Sequence, residues 1–377
     1  MREFMDGNTA IARGALAAGC DFFAGYPITP ATSILLTMMR DLPRAGGVAI
    51  QGEDEIASLG FCIGAAMTGR RAFTATSGPG ISLYSENIGL AIMGEVPLVI
   101  VDVQRMGPAT GGATTAAQGD AQFIRWCTSG GYPIIALCPA TVADCYALTM
   151  RAFDLAEQFR CPVFVLADKE VAATMDTVES GDMIPLPVRE RAFAEMECTF
   201  APCDYPAPDA NVSMSPFGGP HLLRFTTSTH DERGYLTKAP DKVERLNRHL
   251  IAKIEQHRDE IEQVRADAQP GTNVLLVSYG ITARAVDEAV RQARAGGHKV
   301  SALTLLSLWP LPESALSRAM EGITRVVVAE LNDGQIRREI ERLVCAGPTQ
   351  EVQVIGVHRI DGELITPQQI LHQGGLE

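Results

Sequence analysis

The sequence predicts an α/β protein with two domains joined by a long irregular connector, and three observations carry that prediction. From Asn8 to about Lys169, short β-rich apolar runs alternate with stretches of helical period, the pattern of a parallel sheet flanked by helices. The run PLVIVDV (97–103) is apolar nearly throughout, as a strand covered on both faces requires. Between about Met175 and Lys242 the periodicity stops and prolines accumulate, after which a second, smaller alternating block begins. A chain of 377 residues is too long for one ordinary core, so a two-domain reading also suits its length.

The first block opens with a helix, TAIARGALAAG (9–19), stopped by glycine. DFFAGYP (21–27) follows as a strand and PATSILLTMMRDL (30–42) as a helix, with Pro30 suited to its first turn. EIASLGFCIGAAMTG (55–69) reads as a helix, RAFTATS (71–77) as a strand and SLYSENIGLAIMG (82–94) as a helix, ahead of the strand PLVIVDV. PIIALCP, the helix VADCYALTMRAFDLAEQF and the strand PVFVLAD complete the block. The connector holds Pro185, Pro187, Pro202, Pro206, Pro208, Pro216, Pro220 and Pro240, and a stretch that long is expected to pack across a neighbouring surface, a partner chain being the natural candidate. A polar helix from Asp241 to Val264 then introduces the strands NVLLVSYG, KVSALTLL, RVVVAEL and EVQVIGV and the helices ITARAVDEAVRQARAG, ESALSRAM and GQIRREIERLV. The predicted organisation is residues 1–175, a connector over 176–242, and residues 243–377.

Composition excludes several classes. Apolar residues make up 46% and charged residues 20%, and no apolar run reaches the roughly 18 residues that cross a bilayer. A net charge of −13 leaves no basic stripe for phosphates, so no nucleic-acid partner is expected. The first twenty residues carry an early acid and Arg13, unlike a secretory signal, and a cytoplasmic location is the expectation. Nine cysteines, with no C-x-x-C, and seven dispersed histidines spell no transition-metal site; reduced, buried thiols are expected.

Ligands of open α/β sheets bind beyond the carboxyl ends of the strands, so the loops there are where chemistry belongs. In GYPITPATS, Pro27 and Pro30 stiffen the backbone around Thr29, which either caps the next helix or meets a ligand. In QGEDEIASLG, Glu53, Asp54 and Glu55 crowd a helix start; the macrodipole favours acids there, but three exceed that need. The same helix carries Gly60, Gly64, Ala65 and Ala66, which permit close approach of another backbone. TATSGPG offers free backbone N–H groups around Ser77 and Gly78, yet lacks the third glycine of a dinucleotide fingerprint, and no P-loop occurs. In QRMGPATGGATTAAQGD, Arg105 emerges at a strand end, either as a surface arginine or as a bidentate clamp for a carboxylate, ahead of a Gly- and Ala-rich loop able to move as a lid.

Together these segments resemble the α subunit of the 2-oxoacid:ferredoxin oxidoreductases, most closely the 2-oxoglutarate type. The resemblance is carried by GYPITP (25–30), EIASLGFCIGAAMTG (55–69), TATSGPG (74–80) and VDVQRMGPATG (101–111), then by THDERG (229–234), LWPLPE (308–313) and NDGQI (332–336), and spans nearly the whole chain. It implies a pyrimidine-binding-type domain for thiamine diphosphate, followed by a transketolase C-terminal-like α/β domain. It further implies a partner β subunit that supplies the diphosphate side, Mg²⁺ and a [4Fe–4S] cluster, in an α2β2 assembly. By the resemblance, Glu55 binds the aminopyrimidine ring, with Glu53 as its rival. Tyr26, Pro27, Ile28, Thr29, Ser77 and Gly78 lie against the cofactor, Thr29 also faces the substrate, and Arg105 holds the 2-oxoacid carboxylate. The implied reaction is the coenzyme A-dependent oxidative decarboxylation of 2-oxoglutarate to succinyl-CoA, with electrons passing to ferredoxin. A branched-chain 2-oxoacid or pyruvate is the alternative substrate, and a non-catalytic scaffold subunit the alternative of another class.

Overall fold

The computed structural model describes residues 2–179, 181–196, 200–346 and 352–377. Fourteen strands among the described residues form three sheets. A two-stranded antiparallel ribbon pairs β1 (Arg2–Asp6) with β8 (Met175–Glu179). The main sheet contains β2 (Phe22–Gly25), β3 (Val48–Gln51), β4 (Ala72–Thr76), β5 (Leu98–Gln104), β6 (Ile135–Leu137), β7 (Pro162–Asp168) and β12 (Ser307–Trp309), in the order β12-β6-β7-β5-β4-β2-β3. The third sheet contains β9 (Val264–Asp267), β10 (Val274–Ser278), β11 (Ser301–Leu305), β13 (Arg325–Glu330) and β14 (Gln353–His358), in the order β14-β13-β10-β11-β9.

The central strands β4, β5 and β7 are buried along their whole length and pair in parallel, as their apolar runs predict. Helices Gly7–Ala17 and Val142–Phe159 pack on one face of the main sheet, where Phe23, Phe73 and Phe153 stack as tilted rings 5.3 and 6.2 Å apart. Three helix starts of this domain have side-chain caps of this kind: Asp6 accepts from Thr9 N, Asp54 from Ala57 N and Thr141 from Asp144 N.

Several expectations change. The polar helix ends at Glu255, a four-residue turn follows over Arg258–Ile261, and Val264 opens β9, which pairs antiparallel with β11. Strands β1, β3, β8, β9 and β12 and the helix Pro367–Gly374 are additions to the predicted elements. β12 comes from the second alternating block yet pairs antiparallel with β6, so the late chain contributes the edge of the first sheet.

The connector packs on its own chain. Arg191 forms a bidentate pair with Glu157 at 2.7 and 2.8 Å, both side chains nearly enclosed. Phe193 lies against Gly69, and Phe225 against Gly94 so closely that a Cβ there would collide with its ring. Its firmest anchor is Glu95, buried in the main-sheet domain, which accepts from the Tyr205 hydroxyl, from His249 at 3.0 Å and from Lys253 at 3.1 Å. Of the cysteines, Cys20, Cys62, Cys127, Cys138, Cys145 and Cys161 are free and buried, Cys203 is partly buried and Cys345 exposed; Cys198 lies outside the described residues.

Candidate active site

The strand order β5-β4-β2-β3 brings the four unusual loops together, because each leaves the carboxyl end of one of four neighbouring parallel strands. Arg105 follows β5, Ser77 and Gly78 follow β4, the Tyr26–Pro30 segment follows β2, and the Glu53–Glu55 acids follow β3.

Glu55 is the first residue of the helix Glu55–Met67 and is 7% exposed, whereas Glu53 and Asp54 are exposed and Asp54 serves as the cap. No protein group donates a hydrogen bond to the Glu55 carboxylate among the described residues, although it faces the turn at Gly80. A Cβ on Gly80 would stand 3.0 Å from Glu55 Oε1 and collide with the Thr76 hydroxyl, so glycine is what allows the carboxylate this position. Among the described residues the hydroxyls of Thr76 and Ser77 are themselves buried without a partner of ordinary geometry, the Tyr84 side chain lying near Thr76. A buried carboxylate with neighbouring unsatisfied hydroxyls is a costly arrangement for a protein to keep unless something polar completes it.

Thr29 does not cap the following helix, which runs over Thr32–Asp41 with Ala31 at the cap position and no side-chain cap bond. The loop, with a cis Thr29–Pro30 peptide, is instead held by Asn8, whose Nδ2 donates to Pro30 O at 2.9 Å and to Ser33 Oγ at 2.7 Å. Tyr26, Pro27 and Thr29 stay exposed, while Ile28 turns inward to pack on the core. Gly78 adopts a positive φ of 38° beside the Arg105 side chain.

Arg105 is buried rather than a surface arginine. Its Nη1 donates to Thr29 O at 2.6 Å and its Nη2 to Thr110 O at 3.2 Å, which places the Thr29 loop and the arginine in direct contact. Nε is buried with no acceptor, and among the described residues no carboxylate stands at ion-pair distance from the charge. Such a guanidinium retains three N–H groups for an incoming anion.

The loop after Arg105 is latched to the second domain. Gln118, fully buried, donates through Nε2 to Asp168 Oδ2 at 3.0 Å and to Tyr279 O at 2.9 Å, and its Oε1 accepts from Leu331 N. Asn332 donates to Gln118 O and Gln335 to Gly119 O, both at 2.7 Å, so the NDGQI segment acts from the far domain on this loop. Between loop and domain lies a cavity of about 400 Å³ lined by Gly78, Ser82, Met106, Asp120, Phe123 and Asn332.

The family model described as pyruvate flavodoxin/ferredoxin oxidoreductase, thiamine-diphosphate-binding, matches residues 13–249, more than half of the chain. This chain belongs to that family. A second model, pyruvate:ferredoxin oxidoreductase core domain II, matches residues 272–370. Among relatives of the oxidoreductase family, the 2-oxoglutarate synthase subunit KorA of Methanocaldococcus jannaschii is 43% identical over 373 residues, covering 98% of each chain. The ketoisovalerate oxidoreductase subunit VorB of Methanothermobacter marburgensis is 33% identical over 375 residues, covering 98% of this chain and 96% of its own. A solved 2-oxoglutarate:ferredoxin oxidoreductase from Magnetococcus marinus, with 2-oxoglutarate, coenzyme A and succinyl-CoA bound, superposes with a TM-score of 0.90 at 30% identity. The match covers 98% of this chain and 64% of that one. A split-gene transketolase shares the fold at a TM-score of 0.54 and 13% identity, covering 98% of this chain and 95% of that one.

Proposed function

We propose that this chain is the α subunit of a thiamine-diphosphate-dependent 2-oxoglutarate:ferredoxin oxidoreductase, forming succinyl-CoA and CO₂ and active only with a β subunit. The observation that carries the reading is Glu55: a buried residue at a helix start, its carboxylate without a donor among the described residues, beside the buried hydroxyls of Thr76 and Ser77. That set of polar groups fits an aminopyrimidine ring, whose ring nitrogen can share a proton with the carboxyl group and whose polar edges can meet the hydroxyls. Tyr26, Pro27, Thr29, Ser77 and Gly78 would line the same ring, while Ile28, packed on the core, would support that loop from behind. Thiamine diphosphate supplies the electron sink that accepts the electrons released as CO₂ leaves. Glu55 would share a proton with a ring nitrogen and so favour the imino tautomer, Arg105 would pair through its free N–H groups with the 2-oxoacid carboxylate, and Thr29, held by Arg105, would lie beside both.

Mg²⁺ and the [4Fe–4S] cluster are assigned to the β subunit in an α2β2 assembly, with ferredoxin and coenzyme A as the further partners. The outer face of the Glu55–Met67 helix supports a partner chain. Ile56, Gly60, Phe61 and Gly64 form an exposed stripe, and a Cβ at Gly60 or Gly64 would meet nothing within 4 Å. The close approach that these glycines permit is therefore left open by this chain. No helix among the described residues is long and apolar enough to cross a membrane, and a cytoplasmic enzyme is the proposed setting.

2-Oxoglutarate is favoured over branched-chain 2-oxoacids because the relatives at 40–43% identity are named 2-oxoglutarate synthase subunits and those named ketoisovalerate oxidoreductase stand at 33–34%. Co-purification with the β subunit, then viologen reduction with 2-oxoglutarate and coenzyme A, tests the reading. Activity is expected only in the two-chain complex. A thiamine-containing complex that reduces viologen with another 2-oxoacid alone would overturn the substrate, and one inert towards every 2-oxoacid would leave the scaffold reading.

A further inference from the structure

Three residues before Arg105, β5 carries Asp102, fully buried; among the described residues neither carboxylate oxygen has a hydrogen-bond partner of ordinary geometry, although the Gly78 amide lies close by. Asp120 stands at the far end of the loop that begins at Arg105, and its Oδ2 is buried and unpartnered in the same way. The two side chains lie within hydrogen-bonding reach of each other. Asp120 N also donates to Gln104 Oε1 at 3.1 Å, so the loop closes back onto the strand it left.

Two carboxylates in contact and out of water do not both stay ionised; a proton held between them satisfies both. Burial raises Asp102 well above the usual carboxylate range and the Asp120 charge adds to this, with the Gly78 amide and the Arg105 charge opposing. Burial likewise pushes Asp120 up to about 6, against its hydrogen bond to Asp102 and the Arg105 charge. Asp333, on the opposite wall of the cavity, is exposed and paired with Arg338 at 2.9 Å.

We propose that one proton shared between Asp102 and Asp120 fastens the loop that starts at Arg105 to the end of β5, making the two aspartates the positioning pair for the residue that holds the substrate carboxylate. Without that proton the base of the loop would carry two repelling charges and part. The guanidinium, whose Nη2 reaches Thr110 within the same loop, would lose one of its two supports. The role rests on the assignment of Arg105 to the 2-oxoacid carboxylate.

The test uses the assembled α–β complex at pH 7. Asp120→Ala removes the bridge, and KM for the 2-oxoacid should rise about tenfold with kcat changed by less than about threefold. Asp120→Asn restores a permanent N–H donor to Asp102 and should return KM to within about threefold of the parent. Infrared difference spectra of the parent against Asp120→Asn should show a protonated-carboxyl band in the parent only. Equal KM values for the alanine and asparagine variants, or no such band, would overturn the shared proton. If the band is present but Arg105→Ala leaves KM unchanged, the assignment of Arg105 fails and the pair's role in substrate binding fails with it.

Discussion

At the scale of single residues, Glu55 and Glu53 are two positions apart in sequence but differ in what surrounds them. Glu55 is enclosed against the Gly80 turn, and Glu53 points into solvent. In the α–β complex Glu55→Gln should lower turnover by at least about a hundredfold, the scale of lost acid–base catalysis, while Glu53→Gln stays near the parent rate. The reverse pattern would transfer the role. Arg105→Ala should raise KM for the 2-oxoacid more than it lowers kcat, as removal of a ground-state clamp does; an unchanged KM would refute it. The sequence alone points to Glu55, Thr29 and Arg105 through their loops, since punctuation by glycine and proline marks where backbone leaves a strand. It does not separate Glu55 from Glu53, because burial depends on Gly80, twenty-five residues later. Asp102 leaves a legible sign, an acid inside the otherwise apolar PLVIVDV, but its partner Asp120 becomes visible only once the loop is seen to close.

At the scale of elements, the connector is tied down by charge as much as by apolar contact. Glu95 sits deep in the protein; burial acts to raise its pKa, yet the Lys253 charge and the His249 hydrogen bond hold it well below its usual value of 4.5. A carboxylate depressed in the folded state contributes stability above its unfolded value, and that stability is lost as pH falls through the folded value. The thermal midpoint of this chain should therefore hold steady above about pH 5 and drop progressively below about pH 4.5, a limb that Glu95→Gln should flatten. Glu95→Ala should cost about 3–5 kcal/mol at pH 7, because it leaves Lys253 buried without its carboxylate, and denaturant unfolding reads this directly. Such a tie is hard to read from sequence: Glu95, Tyr205, His249 and Lys253 are scattered over three segments with no shared period. The helices and central strands are legible because capping and apolar period are local, whereas β9, β12 and the β1–β8 ribbon depend on pairings between distant segments.

At the scale of the whole molecule, the exposed stripe Ile56–Gly60–Phe61–Gly64 runs along the helix that begins with Glu55, so association with a partner and completion of the cofactor site would be one event. Phe61→Glu should abolish co-purification with the β subunit while leaving the melting of the isolated chain within about 2 °C, since an exposed side chain adds little to the fold. Retained association would move the interface elsewhere. The strand exchanged between the two sheets bears on how such a gene can be divided. β12 is encoded after β10 and β11 but closes the edge of the sheet whose loops carry Arg105 and Glu55. A split anywhere in the connector would hand the first fragment a bare β6, with open hydrogen-bonding groups and a taste for other strands. The two halves therefore depend on each other for a closed sheet edge, even though each has a family model of its own.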